Sequence, residues 1–264
     1  RAGKELMLPD VIFLLSPAGI FLSVFAAVVA VAALLHALFL SARLGRLTSG
    51  FTDVSPVVVA ICGTVFGLSV TFLANSVWTI EDRARETVNA EARSLSVMEN
   101  YIESVTAASR DGLYKLIEDY GRGVSVEWAS MAEGDRGAEA EAALRGIYAA
   151  VIKGFAEGEQ NRVVQQRLLT ALDSLSTARQ QRLSMAQNIV SAGQWVLVTG
   201  LGLLLLFMTA ALHAHNPRAR LLALSAVTMA ISITLFVIIK HDRPFVGYAA
   251  IPPEAILWAS GVLY

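Results

Sequence analysis

Apolar residues along this chain gather into four stretches free of Asp, Glu, Lys and Arg, and the region between the second and third repeats at helical spacing. The first stretch runs from Val11 to Ser41, with Pro17 predicting the helix start and leaving Ala18 to Leu40 for the span. The second, Val54 to Ile80, opens on Ser55-Pro56, a capping residue followed by a proline at the first helical position. The third extends from Leu183 to Pro217 around an apolar heart from Trp195 to Leu212, and the fourth, Leu221 to Ile239, is bounded by Arg220 and Lys240. A hydrocarbon core of roughly 30 Å needs about 20 apolar residues per helix. Backbone groups in lipid must be paired within their own segment. Four membrane-spanning helices are therefore predicted.

The block from Glu81 to Arg182 is also helical by its spacing. Val88, Leu95, Met98, Ile102 and Val105 recur on one stripe, as do Leu113, Ile117, Tyr120, Val124 and Trp128. Leu144, Ile147, Val151 and Phe155 form a third stripe, and Val164, Leu168, Ala171, Leu175 and Ala178 a fourth. The clusters EGDRG (Glu133 to Gly137) and EGEQN (Glu157 to Asn161) break the runs, and no alternating strand pattern occurs. The predicted fold is all-α, with two plus two transmembrane helices and a helical extramembrane bundle inserted between helices 2 and 3. Its expected parts are residues 1–80 with spans one and two, 81–182 for the bundle, 183–240 with spans three and four, and an interfacial tail at 241–264. The first and last bundle helices abut spans two and three without proline, so both are read as extensions of spanning helices.

Composition agrees. The chain is 55% hydrophobic and 16% charged over 264 residues, against about 25% charged in a soluble domain. Between residues 81 and 182 there are 17 acidic and 13 basic residues, a net of −4, while the remainder carries a net of +3. No concentrated basic face of the kind that binds nucleic acid is present. Cys62 is the one cysteine, which excludes an intrachain disulfide. The chain begins at Arg1, and its first apolar run exceeds a signal-peptide core, so it is read as a retained span.

Four spans place both termini and the bundle on one side, and the loops Ser41 to Asp53 and His213 to Arg220 on the other. Those loops carry Arg43, Arg46, Arg218 and Arg220; the opposite side carries Arg1, Lys4, Lys240, Arg243, Arg83, Arg85, Arg179 and Arg182. The excess of basic residues favours the bundle and termini in the cytoplasm.

Span two holds the most informative pattern. At helical spacing Ala60, Thr64, Gly67, Leu68, Thr71, Asn75, Trp78 and Asp82 fall within a sector of about 80°. One reading is helix packing, since small and polar residues let helices approach and hydrogen-bond. The other is a pore lining, with Leu68 beside Thr64 as a dewetting constriction. After span four, Lys240-His241-Asp242-Arg243-Pro244-Phe245 reads either as an interfacial stop or as a charge cluster at a channel mouth. His213 and His215, two apart, point to different faces and lack partners for a metal. Glu127 and Glu133 in EWASMAEG (Glu127 to Gly134) lack a nearby nucleophile and read as the wet face of a helix. Gly63, Gly67, Gly200 and Gly202 read as packing residues. No catalytic constellation and no cofactor site is expected, and the chain is read as not an enzyme.

NSVWTIED (Asn75 to Asp82), EWASMAEG, LSTARQQRL (Leu175 to Leu183) and HDRPFVG (His241 to Gly247) together resemble the bestrophin-like domain family, from about Ala60 to Glu254. That family typically reads L-D-R-P-F where His241 stands here in place of Leu. TVFGLSVTFLANSVW (Thr64 to Trp78) is further similar to the pore helix of bestrophins, which are pentameric anion channels. The resemblance implies a constriction at Ile61, Thr64 or Val65, and Leu68 or Ser69, less aromatic than theirs. No acidic cluster resembling the calcium clasp of animal bestrophins is seen, so calcium gating is not implied. The expected function is an oligomeric, pentamer-favoured ion channel in a bacterial inner membrane, anion-permeable, with cation permeation left open. Its pore lining would be Ala60, Ile61, Thr64, Val65, Leu68, Thr71 and Asn75, with Asp82, Asp242 and Arg243 as mouth charges. The expected partners are the lipid bilayer, further copies of the chain and an inorganic ion. The alternative is a non-conducting scaffold or accessory subunit that binds a protein through its acidic helical domain.

Overall fold

The computed structural model describes residues 15–40, 55–105, 107–134, 136–153, 159–187 and 190–263, and every regular element among them is helical. In chain order these are α1 (Pro17–Leu40), α2 (Pro56–Ile102), α3 (Ala107–Ser130), a 3-10 turn (Met131–Glu133), α4 (Ala138–Lys153), α5 (Glu159–Ala186), α6 (Ala192–Leu212), α7 (Pro217–His241) and α8 (Glu254–Ala259). Helices α1, α2, α6 and α7 are long and apolar enough to cross a membrane. The loop from Ser41 to Asp53 with Arg43 and Arg46, the N-terminal Arg1 and Lys4, and the start of the first apolar stretch lie outside the described residues.

Each spanning helix starts on a capping side chain. Ser16 Oγ accepts from Gly19 N–H at 3.2 Å and Ser55 Oγ from Val57 N–H at 3.2 Å. Ser191 Oγ accepts from Gln194 N–H at 3.4 Å, and Asn216 Oδ1 from Ala219 N–H at 3.1 Å. Prolines at 17, 56 and 217 fill the first helical position, where an N–H would have no helical partner. The cap at Ser191 also corrects one expectation. Span two continues without a break to Ile102. The last bundle helix instead stops at Ala186, and span three begins separately at Ala192. A side chain that caps a new helix outweighs the absence of proline.

Contacts divide the chain into two units, Arg1–Thr79 with Ile189–Arg243, and Ile80–Asn188 with Pro244–Tyr264. In the first, α1 packs chiefly on α7 and also on α6, and α6 packs on α7. Its core joins Phe66, Leu73 and Val77 of α2 to Val198, Leu206 and Ala210 of α6 and to Leu224, Ile231 and Ile238 of α7. Gly202 admits the Phe66 ring, which would stand 3.3 Å from a Cβ there.

The second unit is built from heptad-like stripes. Buried positions run Ala84, Val88, Glu91, Leu95, Met98 and Ile102 on α2, and Leu113, Ile117, Tyr120, Val124, Glu127 and Met131 on α3 and the turn after it. On α5 they run Leu168, Leu172, Leu175, Arg179 and Arg182, and on α4 Ala140, Leu144, Ile147 and Val151. Steps alternate between three and four residues, the spacing of knobs-into-holes packing. The tail folds onto this core. Trp128 Nε1 donates to the Ile251 carbonyl at 3.1 Å, and the Trp128 and Phe245 rings meet edge to face at 5.5 Å.

Candidate functional site

Two features carry chemistry, one in each unit. The first is the seam on span two. Ala60, Thr64, Gly67, Thr71 and Asn75 are all exposed, as are Leu68 at 56% and Trp78 at 50%. Ile61 and Val65, the other expected lining residues, are exposed beside them. The helix buries its other side, through Phe66, Leu73 and Val77. Packing among the described residues of one chain therefore does not use the seam.

The seam's polar groups are not equivalent. Thr64 Oγ1 donates to the Ala60 carbonyl at 3.0 Å and Thr71 Oγ1 to Gly67 at 2.8 Å, the i−4 back-bonding open to helical hydroxyls. Ser76 Oγ does the same to Phe72 at 3.0 Å. These hydroxyls place their protons on their own helix and turn lone pairs outward. Asn75 is different. Its carboxamide takes part in no hydrogen bond among the described residues, although the Asn75 main-chain carbonyl accepts from Thr79 Oγ1 at 2.7 Å. An amide side chain without partners costs roughly 4–8 kcal/mol in a medium that cannot hydrogen-bond. That is the largest polar demand on the seam.

Asp82 belongs to the helical unit and is exposed there. Asp242 and Arg243 belong to the spanning unit, where Asp242 is only 5% exposed and Arg243 half-buried. In one protomer Asp242 does not face open solvent. It accepts from the Val190 N–H, while Oδ1 has no partner. Burial pushes its carboxyl up from the usual value to about 6, against the lowering effects of that hydrogen bond and of Arg243. Folding therefore favours the protonated form. Stability is full below the ordinary carboxylate value near 3.8 and falls as pH rises towards 6. The loss is about 2–3 kcal/mol. Asp242→Asn is expected to remove most of that slope in detergent melts run from pH 4 to 7; an unchanged slope would exonerate Asp242.

The second feature is a charge network at stripe positions of the helical unit. Arg182, Glu91 and Glu127 are each 0% exposed. Arg182 Nε donates to Glu91 Oε2 at 2.7 Å and Nη2 to Glu91 Oε1 at 3.1 Å, a fork that grips one carboxylate through two bonds. Its Nη2 also reaches Glu127 Oε1 at 2.7 Å, and Nη1 reaches the Met131 Sδ at 3.2 Å. The guanidinium lies over the Trp128 ring, 4.8 Å from its centroid. Arg179 Nη2 donates to Glu127 Oε2 and to the Arg136 carbonyl, both at 2.5 Å. Tyr120 donates its hydroxyl to Glu91 Oε1 at 2.5 Å. Burial and the Glu91 charge hold that phenol well above its usual range, so it remains a donor. Burial opposes the charge on Arg182, but Glu91, by charge and hydrogen bond, outweighs it and raises the guanidinium above its ordinary value.

This network corrects the reading of Glu127 as part of a wet helix face; Glu133, the other carboxylate of that motif, is exposed. The missed signal is positional. Glu127 falls seven residues after Tyr120 and four before Met131, on the buried stripe itself. Gly137 is required beside it. Its φ is +54°, and a Cβ there would lie against Glu127 Oε2 and Cβ. Gly137→Ala is expected to cost at least about 1–2 kcal/mol from backbone conformation alone. A melting temperature several degrees lower would register it; no change would show that the backbone at this position relaxes out of the left-handed region and that Glu127 moves aside.

Arg220, the boundary charge before the fourth span, is also buried, on the first turn of α7. Its Nε donates to His36 Nδ1 at 3.3 Å and its Nη1 to the Ala214 carbonyl at 3.0 Å. His213 Nδ1 is paired with the Thr209 carbonyl at 3.2 Å, and His215 is exposed. Among the described residues no cluster of three metal-ligating side chains occurs.

Four apolar membrane-length helices with long polar helices between the second and third define a multi-pass membrane protein. Within that class, a family model of the bestrophin-like domain matches residues 22–256, and the chain belongs to that family. No curated protein and no solved structure matches the chain.

Proposed function

We propose that the protein is an oligomeric ion channel, without enzymatic activity, in which the exposed seam of α2 lines a water-filled passage shared by several copies. The observation that carries this reading is the exposure of the whole edge from Ala60 to Trp78 while the opposite side of the helix is buried. Lipid would leave the Asn75 carboxamide unpaired, so a neighbouring copy or water must meet it. Leu68, one turn from both Thr64 and Thr71, supplies the apolar girdle of a dewetting gate.

Family membership supports a ring of copies, with a pentamer favoured through the similarity to bestrophins, and it supports anion permeation. The Asn75 amide adds N–H donors to that case, whereas the threonine protons are already engaged. The basic residues near the span ends support a bacterial inner membrane with the helical unit and termini in the cytoplasm.

Reconstitution into liposomes tests the reading. Salt-driven flux above that of empty vesicles is expected, with a reversal potential that follows chloride; a potential that follows sodium would replace the anion by a cation. Cross-linking in native membranes should give a closed ladder of copies. Monomers without flux would end the proposal. One observation favours a second reading, a scaffold. Glu99, Asp111, Glu118 and Asp119 line a wide cleft of about 900 Å³ in the helical unit, suited to a basic partner segment. Stoichiometric co-purification of such a partner, without flux, would select it.

A further inference from the structure

The region from 81 to 182 is acidic, with a net charge of −4. Against that background one cavity within the helical unit is basic. It measures about 860 Å³ and is lined by Arg136, which precedes α4, by Arg145 and Tyr148 of α4, and by Ser176 and Arg179 of α5. Glu141 is the one carboxylate in its described wall. Its ion pair with Arg145, 2.6 Å long, is exposed on both sides. Such pairs contribute little to stability and are readily exchanged for another anion.

Arg179 is the decisive residue. It is 5% exposed, and all three of its hydrogen bonds leave from Nη2, to Glu127 and to the Arg136 and Gly137 carbonyls. Its Nε is buried and donates to no acceptor. A buried donor left unpaired is costly, and more so on a charged group. The side chain of Arg136 is exposed and makes no ion pair among the described residues. Three guanidinium groups, one with spare buried donor capacity, therefore converge on a cavity with a single carboxylate in its described wall.

We propose that this cavity binds a phosphate-bearing small molecule. Guanidinium forks match phosphate oxygens in geometry and charge. The volume exceeds that of inorganic phosphate and falls in the range of metabolite pockets. Gln180, Ser184 and Gln187 complete the wall with groups suited to a hydroxyl-bearing organic portion. Tyr148 donates to Asp173 Oδ1 at 2.8 Å and accepts from Ser176, so its hydroxyl is held in place on the cavity wall.

The test uses the full chain in detergent, titrated with inorganic phosphate, a hexose phosphate and a short-chain phosphatidic acid, with sodium sulfate and sodium chloride as controls. A ligand that binds only the folded form raises the melting temperature by an amount that grows with the logarithm of its concentration above Kd, and saturation itself is read by isothermal titration calorimetry. The expected result is saturable binding of the hexose phosphate, tighter than inorganic phosphate, and weakened about tenfold by Arg136→Gln or by Arg145→Gln. Both residues lie outside the buried Glu91–Arg182–Glu127 network, so these variants retain the fold. Arg179→Lys, which keeps the charge beside Glu127 but lacks the fork, is expected to weaken binding by at least as much. Saturable, variant-sensitive binding of phosphatidic acid alone would assign the phosphate to a lipid headgroup. Absence of saturable binding, or equal shifts with sulfate, chloride and the variants, would overturn the proposal. Because binding is read without ion flux, the outcome stands apart from the channel reading.

Discussion

An Arg182→Met variant is expected to lose about 3–5 kcal/mol of stability, because it leaves buried Glu91 without its cation and Glu127 with Arg179 alone. Glu91 and Glu127 are fully enclosed, and Arg182 supplies both of the hydrogen bonds from a cation to Glu91. Whole domains are stable by only about 5–15 kcal/mol, so the variant should aggregate on solubilisation or melt far below the parent. The sharper measurement is rescue. Arg182→Met combined with Glu91→Gln removes the stranded charge, keeps similar volumes and leaves the Glu127–Arg179 pair intact. A buried ionic group replaced as a unit is tolerated far better than one broken by removing a single partner. The double variant should therefore recover a substantial part of the loss. If the single variant melts with the wild type, the network does not hold the unit together.

The second large effect concerns conduction. Leu68→Ala is expected to raise flux severalfold, and Thr71→Trp to reduce it to the level of empty vesicles. Both residues are exposed in the protomer. Changes there should shift protomer stability by no more than about 0.5 kcal/mol. A lost bulky apolar group widens a dewetting constriction, and an indole obstructs a narrow one. Oligomer size must be checked alongside flux, so that a failure to assemble is not mistaken for blockage. Two assembled variants that conduct like the parent would remove the seam from the ion path.

The two features differ in how far they could be read before folding. The seam was legible as a pattern: eight positions at helical spacing placed Ala60 through Asp82 on one edge. Spacing left open whether that edge met another part of the same chain, and among the described residues it is exposed while Phe66, Leu73 and Val77 are buried on the opposite side. The charge network was legible only in part. Glu91, Glu127, Arg179 and Arg182 sit at stripe positions, where a charge is out of place on an amphipathic helix. Their partners lie far off in sequence, however: 91 residues separate Glu91 from Arg182, and 55 separate Glu127 from Arg182. The motifs EWASMAEG and LSTARQQRL, which carried the family resemblance, meet in this one cluster.

Composition and periodicity were enough for four membrane-length helices, an all-helical block and the capped start of the second span. Those properties depend on neighbours three or four residues away and on transfer of apolar side chains out of water, both local to a segment. Tertiary structure decided that Glu127 is enclosed rather than wet, that Asp242 is buried rather than open to solvent, and that the polar edge of the second span has no partner among the described residues of its own chain. Each of those outcomes depends on which distant helix supplies, or fails to supply, the opposing surface. A one-dimensional pattern marks the side on which a residue lies, and only packing determines what stands across from it.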